Sequence, residues 1–470
     1  MSGTDTAVAA VIEDSYRART PESSRLHAAA KRWLPGGDTR TINHFTPYPV
    51  FMDHGSGCAL TDVDGNDYVD FCNNMSATVH GHSHPALTAA VADQTLRGTA
   101  LGAPSLLQAR HAEAVCTRVP SMEKLRYCNS GTEATMLAIR AARAFTGRDV
   151  IVKIDGGYHG LHDDAQMNMF TGMSEPTYPQ EGLPPSFPRA QPPRGVPKAR
   201  MREVMLLPYN DLAAARELLA LHGARIAGVI VEPMMGAAGG IPADVEYLHG
   251  LRTATEAHDC LLIFDECATF RVGPLQMSYG ITPDLTSLSK IIGGGFPLGA
   301  FGGRDDIMAQ FDPTRPDPLY HAGAFGGNNM SLAVGLVALG TYGSAEVERL
   351  NALGERLIRE IPEAARRAGV QLQATGIGSL SHLHWGSEPV TTPHEALARR
   401  GGLADLPALF HLALLNRGMY ITRRGLLALS MPMTGRHIDA LVSAIHDVLV
   451  ELRPYIAERA PGLLTASHGV

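Results

Sequence analysis

Residues 261–295 read LLIFDECATFRVGPLQMSYGITPDLTSLSKIIGGG. Two strand-like runs stand in this stretch, Cys260 to Phe264 and Leu285 to Leu288. The first runs into two acids, Asp265-Glu266; the second runs into Ser289-Lys290 and then Gly293-Gly294-Gly295. Short runs of this kind, bounded by polar and glycine-rich turns, fit strands buried on both faces, as in parallel sheets. In such sheets ligands bind outside the carboxyl ends of the strands, where these polar residues fall.

Working outward, similar runs recur at 125–128, 150–152, 204–207 and 226–231, and helical periods separate them from Pro85 onward. Strands alternating with helices predict an α/β fold with a mostly parallel sheet flanked by helices. Before Pro85 the pattern predicts a helix over 11–33, ending at Pro35-Gly36-Gly37. Strands at 49–52, 59–62 and 68–71 follow, the last two joined at Asp64-Gly65 as a hairpin. After residue 335 helices are expected over 332–367, strands near Leu372 and at 382–384, and a last helix over 439–452. The expected division is 1–84 as an N-terminal helix and strand segment of a small domain, 85–335 as the large domain, and 336–470 as a smaller α+β domain. The Pro-rich stretch 174–199 reads as a loop over the site, not a linker.

The 470 residues are 45% hydrophobic and 19% charged, enough for a large core. A net charge of -7 argues against a nucleic-acid binder, which would carry a basic stripe. No apolar run of about 18 residues predicts a membrane span, and the N-terminus does not read as a secretory signal. The six cysteines form no C-x-x-C pair, so neither a zinc site nor a disulfide framework is expected, and a cytoplasmic location is. Walker A, G-x-G-x-x-G and H-E-x-x-H patterns are absent, and no metal site is expected.

Lys290 is one of five lysines. A lysine at a strand end beside glycines loses hydration, and its neutral amine can attack a carbonyl; the local pattern fits a snorkelling lysine equally well. Asp265 at a buried strand end calls for a cation. A protonated pyridine nitrogen would serve; the same pattern also suits Mg²⁺ or a helix cap. Asn129-Ser130-Gly131-Thr132-Glu133-Ala134 opens a helix and offers an anion its amides, though it reads as an ordinary N-cap too. Gly156-Gly157-Tyr158-His159-Gly160 lets an aromatic ring face a flat ligand, or buries a Tyr at a turn. Val231-Glu232-Pro233 ends a further apolar strand.

Together these segments resemble the class III aminotransferases of pyridoxal-phosphate (PLP) fold type I. The motifs are Asn-Ser-Gly-Thr-Glu-Ala at 129–134, Gly-Gly-Tyr-His-Gly at 156–160, Val-Glu-Pro at 231–233, Asp265-Glu266, and Ser287-Leu288-Ser289-Lys290 running into glycines. Within the class the chain is similar to the glutamate-1-semialdehyde aminomutase branch, nearest to β-phenylalanine and D-phenylglycine aminotransferases. The resemblance implies a seven-stranded sheet and a PLP cofactor bound to Lys290 as a Schiff base. It implies that Asp265 pairs with the ring nitrogen, that Tyr158 stacks on the ring beside His159, and that Ser130, Gly131 and Thr132 hold the phosphate. Glu232 would orient the cofactor side of the pocket. It implies a homodimer with sites at the interface, where Ala324 and Phe325 reach the neighbouring phosphate; Ala324 stands where the family has Thr. Arg40 and Arg424 match carboxylate-binding positions, and Met75 replaces an aromatic pocket residue. The implied reaction passes an amino group from an amino donor, a β-amino or aryl amino acid, to a keto acid acceptor. An aminomutase or racemase and a catalytically silent PLP-fold binding protein are the alternatives. The family's Asp-Glu motif is one residue longer than 265–271, so no role passes to Arg271.

Overall fold

The computed structural model describes residues 3–169, 176–401, 403 and 405–465. In chain order the strands begin with β1 (Met52–Ser56), β2 (Ala59–Asp62), β3 (Asp67–Asp70), β4 (Lys124–Cys128) and β5 (Val150–Ile154). Next come β6 (Val204–Leu207), β7 (Ile226–Val231), the short β8 (Met234–Met235) and β9 (Ile241–Pro242), and β10 (Leu261–Asp265). Then follow β11 (Leu285–Ser289), β12 (Gly299–Gly303), β13 (Leu372–Ile377), β14 (Leu380–Trp385), β15 (Met419–Tyr420) and β16 (Leu426–Ala428).

Internal contacts gather the chain into two compact units. The larger holds Pro85–Glu348 and Val390–Leu397; the smaller holds Met1–His84, Arg349–Pro389 and Ala398–Val470. A boundary at 335/336, as the sequence suggests, would cut the helix Asn329–Thr341. That helix packs Val334 and Ala338 against Leu87 of the helix Pro85–Arg97, which holds it in the larger unit.

The large unit is built on a seven-stranded sheet in the order β4-β12-β11-β10-β7-β5-β6. Its strands run parallel except β12, which is antiparallel to both neighbours. Side chains alternate between the faces, as the pleat requires. Val150, Val152 and Ile154 of β5 join Met205 and Leu207 under the helices Leu212–His222 and Val245–Ala257. Ile151, Ile230, Ile263 and Phe301 instead pack under the helix Gly131–Thr146, through Leu137, Ala138 and Ala141. Helices thus cover both faces, and the strands are apolar on both sides for that reason.

The sequence reading has no β12. Its sequence Gly299-Ala300-Phe301-Gly302-Gly303 is poor in strand formers. The glycines are there for close approach: a Cβ at Gly299 would lie 2.1 Å from the Ser130 carbonyl oxygen, and one at Gly303 2.1 Å from that of Asp284. At the other edge Gln180 covers β6. Its amide oxygen accepts from the Leu206 N–H (2.7 Å) and its NH₂ donates to the Leu206 carbonyl (3.0 Å), satisfying an otherwise open strand. Gln180 thus sets part of the Pro-rich stretch on this edge; residues 174 and 175 fall outside the described residues.

In the small unit β1-β2-β3-β15 form one sheet and β13-β14-β16 another. β2 and β3 pair antiparallel across the expected turn at Asp64-Gly65. The expected helix over 11–33 is two helices, Gly3–Arg19 and Pro21–Ala30. Pro21 forces the break, because its ring disfavours helical backbone at the residue before it; Thr20 sits at φ -128°, ψ 45°. The last helix is longer than expected, Gly435–Arg459, with Pro454 inside it.

Candidate active site

Sheet register brings the polar strand ends of the large unit together. Phe264 pairs with Val231, so Asp265 and Glu232 follow side by side at the carboxyl ends of β10 and β7. Asp265 pairs with Ser287 of β11, three residues before Lys290. Gly299 pairs with Cys128, at the end of β4 where the segment 129–134 begins.

Asp265 is buried, with 5% exposure. Its Oδ2 lies 2.9 Å from His159 Nδ1, and its Oδ1 accepts from the Cys267 amide (3.1 Å) and the Ser287 hydroxyl (3.0 Å). Burial alone would raise its pKa, but the hydrogen bond and charge of His159, with the contacts to Cys267, hold the carboxyl below its ordinary value. Burial in turn pushes His159 below the ordinary histidine value, against the pull of Asp265. His159 Nδ1–H donating to the Asp265 carboxylate links the two shifts. Among the described residues no lysine or arginine pairs with Asp265; the basic side chain beside it is His159.

The loop after β5 is fixed from several sides. Glu232, buried, accepts the Tyr158 amide at Oε1 (3.1 Å) and the Gly236 amide at Oε2 (3.0 Å). Its burial and the neighbouring Asp265 charge push its pKa up to about 8, against those two amides and Lys290. Lys153 sits inside the all-buried β5 and donates to the carbonyls of Gly157 (3.0 Å) and Met167 (2.6 Å). Burial brings Lys153 down to about 8. Gly160 (φ 93°) lies against Thr132, where a Cβ would come within 2.6 Å, so this loop touches the helix start at residue 131. Thr135 donates to the His159 carbonyl (2.6 Å), and the Leu161 amide reaches the Thr132 hydroxyl (3.3 Å).

That helix, Gly131–Thr146, has Ser130 as its N-cap: the Ser130 hydroxyl accepts from the Glu133 amide (3.2 Å). Glu133 reaches back to the Asn129 amide (2.8 Å). The N-cap reading of Ser130 therefore holds, and a capped helix start is also where an anion would meet free amides. A Cβ at Gly131 would meet Cys267 Sγ at 3.1 Å and Ser289 Cβ at 3.3 Å. This glycine lets the helix start sit against the ends of β10 and β11.

Lys290 follows β11 with φ 56°, in the left-handed region. Such backbone costs a non-glycine residue roughly 1–2 kcal/mol and persists where the surroundings over-determine it. They do so here. His111 Nε2 lies 2.7 Å from the Ile292 carbonyl oxygen, and Gly335 lets the helix Asn329–Thr341 lie where a Cβ would be 2.0 Å from the same oxygen. The charge of Lys290 acts on both Glu232 and Cys267.

Ala324 and Phe325 are exposed, Phe325 by 63%. Arg40, Met75 and Arg424 belong to the small unit. Arg40 is exposed and Met75 half-buried, and burial together with Arg423 lowers Arg424. Arg271 is buried and takes its place in the core of the large unit, where Tyr342 donates to its carbonyl. Sequence reasoning missed the parts played by Lys153, Ser287 and Cys267. For Lys153 a signal existed, a charged residue inside the apolar run Val-Ile-Val-Lys-Ile.

The residues fit the pyridoxal phosphate that the resemblance implies. Asp265 is a buried carboxylate held below its ordinary pKa by His159 and Cys267, with the Ser287 hydroxyl also donating to it and no lysine or arginine paired to it among the described residues. A buried charge of that kind calls for a cation, and a protonated ring nitrogen suits it. The amides at Gly131 and Thr132 suit a phosphate, and Lys290 suits an aldehyde.

Comparison with known proteins agrees with this chemistry. The family model described as aminotransferase class-III matches residues 42–449. A β-phenylalanine transaminase from Variovorax paradoxus is 39% identical over 448 residues, 94% of this chain and 96% of its own. A glutamate-1-semialdehyde 2,1-aminomutase from Desulforapulum autotrophicum is 37% identical, over 92% of this chain and 99% of its own. The crystal structure of an omega-transaminase from Sphaerobacter thermophilus superposes with a TM-score of 0.86 at 38% identity, covering 92% of this chain and 98% of that one.

Proposed function

The chain belongs to the class-III aminotransferases, and from that premise we propose that it moves an amino group from a β-amino or aryl amino acid to a keto acid, with Lys290 as its catalytic amine. It is a pyridoxal-phosphate enzyme. The observation that carries the assignment of roles is Asp265, a buried carboxylate at a strand end that hydrogen-bonds a histidine instead of pairing with a lysine or arginine.

When bound, the cofactor supplies an aldehyde that accepts the amino group and a ring that draws electrons from the reacting carbon. The chain does the rest. Asp265 keeps a negative charge against the ring nitrogen, and His159 fixes the orientation of that carboxylate. The amides of Gly131 and Thr132 and the Thr132 hydroxyl hold the phosphate, with Ser130 capping the helix that presents them. Tyr158 flanks the ring, its backbone pinned by Glu232. Lys290 anchors the cofactor and then, as a free amine, moves the proton at the substrate carbon that bears the nitrogen. Arg40 and Arg424 take the substrate carboxylate, for which a guanidinium fork is suited, and Met75 shapes the pocket for its side chain.

The similarity to a β-phenylalanine transaminase supports a β-amino donor. A homodimer is part of the proposal: Ala324 and Phe325, exposed on one copy, reach the phosphate of the other, where the Phe325 amide donates and Ala324 brings no hydroxyl. Six free cysteines support a cytoplasmic setting. Aminomutase chemistry is the second reading, favoured by the 37% identity to an aminomutase.

The test is a half-reaction. β-Phenylalanine, then other β- and aryl amino acids, is added to the holoenzyme without acceptor. The visible band of the lysine-bound cofactor is expected to disappear with release of one equivalent of keto product, and to return when a keto acid is added. A band unchanged by every donor would contradict the proposal, and an isomerised amino acid formed without acceptor would replace it with the mutase reading.

A further inference from the structure

Asn73, Asn74, Met75 and Ser76 have φ of 48°, 48°, 55° and 69°. L residues enter the left-handed region singly as a rule; here four non-glycine residues occupy it in succession. The small unit holds this turn in place. Asp70 Oδ1 accepts from the amides of Cys72 (2.8 Å) and Asn73 (2.9 Å), and Asp70 Oδ2 lies 2.8 Å from His82 Nε2. The buried Asn73 side chain donates to the carbonyls of Ala428 (2.5 Å) and Asp70 (3.2 Å). Strain that is over-determined in this way marks functional sites.

What the turn presents is Asn74. Its Oδ1 accepts a hydrogen bond from Arg40 Nη1 at 2.7 Å, between two exposed residues of the same unit. Arg40 forms no ion pair among the described residues. A neutral amide oxygen orients the guanidinium and leaves its charge uncompensated, whereas a carboxylate in the same place would neutralise it. We propose that Asn74 is a positioning residue for Arg40, orienting the guanidinium without pairing its charge, for the carboxylate of an amino-acid substrate. The inference rests on the Arg40 reading above and adds the residue that sets it.

Asn74→Asp and Asn74→Gly test it in the holoenzyme, since Asp and Gly both tolerate left-handed backbone and keep the turn. Steady-state kinetics are read with the amino-acid donor that the wild type turns over fastest. Asn74→Asp is expected to raise KM roughly tenfold and Asn74→Gly roughly threefold, with kcat within about twofold. KM unchanged in both, or a fall in kcat alone, while Arg40→Ala raises KM, would overturn the role of Asn74. KM unchanged in Arg40→Ala as well would overturn the Arg40 reading and this inference with it.

Discussion

The ends of β10 and β7 lie side by side in one sheet, and each carries a buried carboxylate, yet the two are driven in opposite directions. Asp265 meets a histidine, a hydroxyl and one amide, and its pKa falls. Glu232 meets two amides but also the Asp265 charge, and its pKa climbs to about 8. Neighbouring strand ends at the same register thus hold one group kept ionised and one whose proton is held to near neutral pH. Pairs of titratable groups pushed apart in this way mark acid–base assignments. The difference teaches that burial raises both carboxyls, and that only Asp265, through His159 first and Cys267 after it, has partners enough to reverse the direction.

Breaking the ionised member should have the largest effect. Asp265→Asn keeps the shape and removes the charge, and is expected to lower kcat by roughly 10²–10³-fold while the fold survives. Wild-type turnover in that variant would mean that the charge has no part in the reaction. Removing its partner sharpens the same point. In His159→Ala the main offset to the burial of Asp265 is lost and only the Cys267 and Ser287 contacts remain, so its pKa rises and the acid limb of the kcat profile moves to higher pH. A loss of about one order of magnitude at neutral pH goes with it, the scale of a charge-assisted hydrogen bond. An unmoved acid limb would show that another group ionises there.

The neutral member gives the smallest effect, read in stability. Because the folded pKa of Glu232 is raised, the stability it contributes is fully present below pH 4.5 and is lost as pH rises toward about 8. Glu232→Gln cannot ionise, so the Tm of the apoenzyme should vary less between those limits than that of the wild type, although one amide loses its acceptor. Parallel Tm curves would place Glu232 outside the titrating set.

The strand ends were legible in the sequence because an apolar run that stops at an acid or a lysine reads the same in any context. Asp265, Glu232 and Lys290 stand out for that reason, as does the alternation of strands and helices. Other features depend on contacts distant in sequence. β12 looks like a glycine-rich loop until Ser130 and Asp284 are placed against it. The contact between His159 and Asp265 spans 106 residues, and neither residue alone announces the other. The left-handed backbone at Lys290 and at Asn73–Ser76 leaves no trace in residue type, apart from two asparagines. The helix break at Thr20-Pro21 was visible in principle, but the apolar period ran through it.

The central claim is that Lys290 carries the cofactor, and with five lysines in the chain it has a direct test. The holoenzyme is reduced with borohydride, digested, and its peptides are weighed by mass spectrometry. The account expects a reduced pyridoxyl phosphate on the peptide that contains Lys290 and on no other. The same adduct on Lys153 or another lysine, or no adduct in a protein that still binds the cofactor, would contradict it.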